Sequence, residues 1–192
     1  QATRNGATPL FIACQKGHLD IARLLLKVSA AINQARHHDG CTPLNIACDQ
    51  FEIAQLLVNA RAAVNQATAN GVTPLHSACH KDRPAVVRFL LQAGADSTRR
   101  NADGCTALHI AKEQGHAEGA LAIEAAAREA EASRAAERAA AEAEAEAARN
   151  ADELLAEIEE EKRAKGKKGK KKKKKGGGAG AAGPSQAPEV PG

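Results

Sequence analysis

One five-residue phrase occurs four times in this chain at nearly one period. Gly6-Ala7-Thr8-Pro9-Leu10 returns as Gly40-Cys41-Thr42-Pro43-Leu44, as Gly71-Val72-Thr73-Pro74-Leu75 and as Gly104-Cys105-Thr106-Ala107-Leu108. The glycines stand 34, 31 and 33 residues apart. A period of that size marks a supersecondary unit too small to bury its own apolar face, so such units must stack on one another. The uneven spacings can be located. The stretch from Asn33 to Gly40 is one residue longer than that from Asn65 to Gly71. Ala47-Cys48-Asp49-Gln50 lacks the Gly-His pair that Ala13-Cys14-Gln15-Lys16-Gly17-His18 carries. Both changes fall at turns, where length changes cost least.

Each piece of the unit has a local physical reason. Asn-Gly and Asp-Gly are turn signals, because glycine reaches positive φ without strain. Thr before Pro predicts an N-cap and first helical residue: the hydroxyl takes an orphan N–H, and proline has none to lose. A short helix follows, such as Pro9 to Gln15, and Gly17-His18 breaks it. A second helix shows Ile21, Leu24 and Leu25 at helical spacing, echoed by Ile53, Leu56, Leu57 and by Val86, Phe89, Leu90. The unit is therefore a turn followed by two short antiparallel helices.

On these residues the chain resembles the ankyrin repeat family, whose pattern is Gly-x-Thr-Pro-Leu-His-x-Ala, a Gly-His break and a Leu-Leu second helix. The resemblance implies an all-α solenoid of paired antiparallel helices over residues 1–124, with repeats at about 2–35, 36–67, 68–98 and 101–124. Individual units depart from the pattern. Phe11 and Asn45 stand where the family has His, which His76 and His109 keep. Asp82-Arg83 replaces Gly-His in the third unit. Ser29 and Arg61 occupy the glycine position that ends the second helix, which Gly94 keeps; Arg61 is strained there if the left-handed conformation is retained. In the fourth unit Gly119 and Ala122 sit where Ile21 and Leu24 sit in the first, which predicts a terminal cap or a half-formed unit. The first unit has no polar capping repeat ahead of it, and further repeats upstream are expected.

Two other materials follow. The net charge of +4 conceals segments of about +4 (1–117), −8 (118–163) and +8 (164–192). Residues 118–164 are mostly Ala, Glu and Arg, strong helix formers. Opposite charges fall at i,i+4 in Glu124–Arg128, Arg138–Glu142, Arg149–Glu153 and Glu159–Arg163, and at i,i+3 in Glu131–Arg134. A solitary, solvated helix of roughly 70 Å is the expectation. The alternatives are an alanine-seam coiled coil, although large a/d residues are missing, and a mostly disordered segment. Leu154, Leu155 and Ile158 make one small apolar stripe. Residues 165–192, rich in Lys, Gly, Ala and Pro, are expected to be disordered.

Several chemistries are excluded or disfavoured. There is no Trp, Tyr or Met and only three Phe, so base stacking on aromatic platforms has almost nothing to work with. Cys14, Cys48 and Cys79 are one repeat position and Cys41 and Cys105 another. That placement explains them as small semi-buried residues. No Cys-x-x-Cys pair exists, so no metal site and no cofactor are expected. The odd cysteine count and the lack of an Asn-x-Ser/Thr sequon fit a reducing, intracellular compartment, cytoplasmic or nuclear. His18, His37, His38, His76, His80, His109 and His116 pair with no nucleophile and carboxylate that would make a triad. The Gly/Lys tail lacks the strand, helix and hydroxyl of a phosphate-binding loop. No apolar run is long enough to span a membrane.

Stacked repeats make an extended concave face from turn tips and first helices, so the expectation is a non-enzymatic scaffold or adaptor, monomeric, that binds a protein partner on that face. In the ankyrin family, partner contacts come from residues flanking the turn glycine and from the end of the first helix. The resemblance thus implies Arg4, Asn5 and Ala7 with Gln15 and Lys16; His38, Asp39 and Cys41 with Asp49 and Gln50; Ala69, Asn70 and Val72 with His80 and Lys81; and Ala102, Asp103 and Cys105 with Glu113 and Gln114. A different role falls to Lys165, Lys167, Lys168, Lys170, Lys171, Lys172, Lys173, Lys174 and Lys175, which suit nucleic acid or another polyanion by counterion release, or nuclear targeting.

Overall fold

The computed structural model of the chain describes residue 3 and residues 6–173, the stretch 164–173 by its backbone alone. Among the described residues the elements are α1 (Pro9–Lys16), α2 (Leu19–Lys27), α3 (Pro43–Ile46), a 3-10 turn (Ala47–Asp49), α4 (Phe51–Asn59), α5 (Pro74–His80), α6 (Pro84–Gln92), α7 (Ala107–Glu113) and α8 (Ala117–Lys173). Extended pairing among these residues amounts to an isolated bridge between Arg100 and Thr106. One compact unit ends at Arg134 and a second begins at Ala135.

The first helix of every repeat starts as the sequence predicts. Thr8, Thr42, Thr73 and Thr106 hold extended backbone, and each hydroxyl accepts the N–H three residues on, at 3.1, 3.2, 3.4 and 3.2 Å. Substituting such a cap by Ala typically costs about 1 kcal/mol. The shortened segment in the second repeat shortens the helix: α3 has four residues and runs into the 3-10 turn. Gly17 and Gly115 leave their helices at φ +79° and +74°, and Asp82 does the same at φ +50°.

Leu10, Leu44 and Leu75 from the first helices are buried, with Ala13, Ala47, Ala78 and Ala111 behind them. The second helices add Ile53, Leu57, Val86 and Leu90. Each large side chain so buried contributes about 1.5–3 kcal/mol of transfer free energy. Phe51 and Phe89 meet edge to face with centroids 5.6 Å apart. The first repeat differs from its successors. Ile21 is 49% exposed, whereas Ile53 and Val86 at the same repeat position are 2% exposed. Leu24 and Val28 are exposed as well. The later positions have a preceding repeat packed against them, and among the described residues α2 has none.

The fourth repeat is complete. Its second helix is the opening of α8, where Ala120 and Ile123 are buried. No break separates it from the Ala/Glu/Arg segment, because neither Gly nor Pro interrupts residues 120–165. Glu124 pairs with Lys112 at 2.8 Å and with Arg128 at 3.9 Å. In the second compact unit every residue from 135 to 163 is exposed, including Leu154, Leu155 and Ile158. The helix extends to Lys173, past the 165 boundary predicted for disorder. Lysine is a good helix former, and cations are favourable at a helix C-terminus. The rest of the predicted disordered tail, 174–192, lies outside the described residues.

Side chains tie each repeat to the next. His76 Nδ1 receives the Thr73 hydroxyl at 2.7 Å and the Thr73 N–H at 3.3 Å, so its proton sits on Nε2, which donates to the Cys105 carbonyl at 3.1 Å. Asn45 reproduces this arrangement with an amide. Its Oδ1 receives the Thr42 hydroxyl at 2.6 Å, and its Nδ2 donates to the Val72 carbonyl at 3.2 Å. Phe11 has no such polar atoms. It is buried instead, with the Arg36 guanidinium 5.0 Å above its ring. At the far ends of the second helices, Asn33 accepts the Ala63 N–H and Asn65 the Asp96 N–H, both at 2.8 Å.

Two predictions follow from the backbone and from this histidine. Arg61 holds φ +67° at the position where Gly94 holds φ +86°, and a Cβ on Gly94 would touch nothing. Gly94→Ala should therefore cost about 1–2 kcal/mol through conformation alone, and Arg61→Gly should stabilise by about 0.5–1 kcal/mol. Urea unfolding of the two variants checks the pair, and a neutral Gly94→Ala would contradict the strain. Burial lowers the His76 pKa below its ordinary 6.5. Above about pH 6.5 the ring is neutral in both states and its contribution is intact. As pH falls from there through the depressed folded value, the unfolded chain takes up the proton first and stability is lost. His76→Asn, which copies Asn45, should flatten stability against pH between about 7 and 5. An unchanged slope would show that His76 does not carry it.

Candidate partner-binding surface

The turn between repeats is a tight loop closed by backbone hydrogen bonds. Arg36 donates to the Cys41 carbonyl at 2.9 Å, Thr68 to Val72 at 3.0 Å and Asn101 to Cys105 at 3.0 Å. Side chains close the same loops from within. The N–H of Cys41 is held by Asp39 Oδ1 at 3.1 Å, that of Val72 by Thr68 Oγ1 at 3.1 Å and that of Cys105 by Asn101 Oδ1 at 2.8 Å. Consecutive tips are joined directly. The Ala69 N–H donates to the Asp39 carbonyl, and the Ala102 N–H to the Asn70 carbonyl, both at 2.8 Å. Glycine is required at the tip for this reason as well as for its φ: a Cβ on Gly40 would lie 2.8 Å from the Ala69 nitrogen. The side chains on the tips are thus presented on a stiff, regularly spaced ladder.

The residues predicted to face a partner fall into three groups. Exposed are Gln15, Lys16, His38, Ala69, Asn70, His80, Ala102, Asp103, Glu113 and Gln114. Half-buried are Asp39, Cys41, Asp49, Gln50, Val72, Lys81 and Cys105. Ala7 is buried at 6% exposure, so it offers almost no side-chain surface. Arg4 and Asn5 lie outside the described residues. So do Lys174 and Lys175, and for Lys165, Lys167, Lys168 and Lys170 to Lys173 only the helical backbone is described.

Charges of both signs line the row, and several are paired. Lys81 Nζ stands 3.5 Å from Asp49 Oδ2, joining the ends of two successive first helices. Asp39 accepts from Arg36 Nε at 3.0 Å and pairs with its Nη2, and this guanidinium holds the carboxyl down to about 2. Asp39 therefore stays ionised throughout the physiological range. The other Asp49 oxygen, Oδ1, is buried without a hydrogen-bond partner. A row of alternating sign suits a protein surface better than a polyphosphate.

The thiols divide by burial. Burial pushes Cys14 and Cys79 up to about 12 and moves Cys48 in the same direction. Cys41 is raised by the same cause. Buried thiols of this kind are unreactive. Cys105 belongs to a grouping that cysteine spacing alone did not reveal. Cys105, His109 and Glu113 bring their donor atoms within 4.8 Å of one another. The sequence offered only part of the signal: His109 and Glu113 are four residues apart on one face of α7, whereas Cys105 stands in the turn ahead of that helix.

Comparison with known proteins agrees with the stacked helix pairs and their connecting turns. The family model for ankyrin repeats (3 copies) matches residues 1–68 and 50–128. An ankyrin repeat protein of fowlpox virus (strain NVSL) is 37% identical over 106 residues, 53% of this chain and 31% of its own. The B-cell lymphoma 3 protein of Homo sapiens is 33% identical over 124 residues, 58% of this chain and 26% of its own. A homolog of transient receptor potential cation channel subfamily A member 1 in Caenorhabditis elegans is 32% identical over 113 residues, 58% of this chain and 9% of its own. The chain spans less than a third of each of these relatives. With the family model covering about two thirds of its residues, the chain belongs to the ankyrin repeat family.

Proposed function

We propose that this chain is a non-enzymatic adaptor that holds a protein partner along the turn tips and the ends of the first helices. Ankyrin repeats are protein–protein interaction modules. The observation that carries the finer reading is the ladder of the second, third and fourth tips, joined in sequence by backbone hydrogen bonds and exposing polar side chains such as His38, Asn70 and Asp103. Stiffness matters because side chains ordered before contact lose little freedom on binding. Glu113 and Gln114, with Lys16 and His80 on earlier repeats, extend the row beside the tips.

A second reading rests on the charge of the C-terminal segment. Nine lysines lie between Lys165 and Lys175, enough to bind nucleic acid without sequence preference or to act in nuclear targeting. With about six phosphates contacted, log K on duplex DNA should fall with log salt at a slope near −5.

Full-chain variants separate the two. Asn70→Arg with Asp103→Arg alters the tips, Leu154→Ala with Ile158→Ala alters the α8 stripe, and alanine at Lys170 to Lys175 removes the charge run. Protein-partner affinity should fall about tenfold or more, roughly 1.4 kcal/mol, in the tip variant and hold in the other two. A partner retained by the tip variant and lost by the α8 variant would make the helix the recognition element. Nucleic-acid retention that survives the lysine substitutions across a salt series would overturn the second reading.

A further inference from the structure

The histidine at the third position of the first helix is fully engaged in the third repeat and released in the fourth. Both ring nitrogens of His76 are used, one on Thr73 and one on the Cys105 carbonyl of the following turn. After His109 the chain runs on into α8, and among the described residues no further turn stands over the ring. Thr106 still caps the backbone N–H of His109 at 3.2 Å. The imidazole itself is exposed, with Nε2 3.3 Å from Glu113 Oε1. Cys105 sits four residues before His109, on the same side of a shallow cleft of about 440 Å³ lined by Arg100, Asp103, Cys105, Leu108, His109 and Lys112.

We propose that Cys105, His109 and Glu113 form a surface site for a borderline-soft divalent transition-metal ion, Zn²⁺ by its donor set. Zinc takes sulfur at about 2.3 Å and nitrogen or oxygen at about 2.0–2.2 Å in a tetrahedron, which sets its donors roughly 3.3–3.8 Å apart. The His109–Glu113 separation of 3.3 Å already meets that requirement. Sulfur lies within 4.8 Å of both donors, so side-chain rotations of about 1 Å complete the set. Thiolate and imidazole favour zinc over calcium or magnesium, which take oxygen ligands. On binding, the Cys105 thiol releases its proton to solvent. Thiolate and carboxylate together then balance the two charges of the ion. The fourth position is left to water.

The two cations that line the same cleft each have a partner of their own. Arg100 Nη1 donates to the Gly104 carbonyl at 2.6 Å, and Lys112 Nζ pairs with Glu124 at 2.8 Å. Cys14, Cys48 and Cys79 are buried and do not compete. Cys41 is half-buried at the same repeat position as Cys105 but has Asn45, not His, four residues on. It is therefore the internal control.

The test is titration of the reduced full chain with Co²⁺, followed by the thiolate-to-cobalt charge-transfer band and by displacement with Zn²⁺. One equivalent of Co²⁺ should bind with that band. Cys105→Ser should abolish the band, His109→Gln and Glu113→Gln should weaken binding at least tenfold, and Cys41→Ser should change nothing. Circular dichroism confirms that each variant is folded, which their surface positions allow. The absence of a thiolate band in the unsubstituted chain, or a band that survives Cys105→Ser, would overturn the site.

Discussion

Between the second and third repeats, and between the third and fourth, a carbonyl in the turn is held by a side chain from the repeat before it, and the register of these repeats depends on that join. Asn45 reaches Val72 and His76 reaches Cys105. Each of these side chains is buried and also completes the cap of its own helix. One residue therefore satisfies polar groups in two repeats at once. Removing it would leave buried donors and acceptors unpaired, at about 1–3 kcal/mol each. The apolar contacts stack the helices, but they are weakly directional. The hydrogen bonds set the register in which one turn lies beside the next.

That register produces the surface. The tips are spaced by the helix pairs behind them and linked by the Asp39–Ala69 and Asn70–Ala102 hydrogen bonds. An exposed side chain on a tip is thus positioned by the core of two repeats rather than by its own loop. The join also explains the difference at the fourth repeat. With no following turn to hold among the described residues, His109 lies against Glu113. The first repeat shows the apolar counterpart, since Ile21, Leu24 and Val28 stay exposed where later repeats are covered.

Much of this was legible in the sequence because the repeat makes each unit a check on the others. The threonine caps, the paired helices and the position that Ser29 and Arg61 share with Gly94 follow from aligning four copies, whereas the missing Gly-His pair, placed at a turn by the sequence, shortens α3 itself. What was not legible depended on a neighbour's presence or on geometry within one copy. Asn45 reads as a departure from His until its amide is seen to offer the same acceptor and donor. Ile21 and Leu24 match Ile53 and Leu56 in type, yet exposure is decided by what packs against them. Ala7 flanks a turn glycine but is buried. The grouping of Cys105 with His109 and Glu113 was hidden because Cys105 belongs to the turn, whose path toward α7 no helical spacing gives.

Coupling between repeats is the central claim, and Leu57 is the place to measure it, since its side chain is fully buried within the stacked second helices. Leu57→Ala leaves every hydrogen-bonding group in place and removes only packing. Native-state hydrogen exchange across the whole chain should show a loss of about 2–4 kcal/mol in α3 to α6. Amides of α1 and α2 should then open independently of those in α7, because a weakened middle repeat uncouples the ends of the array. A loss below about 0.5 kcal/mol, or an equal loss in all helices with no uncoupling, would contradict the account.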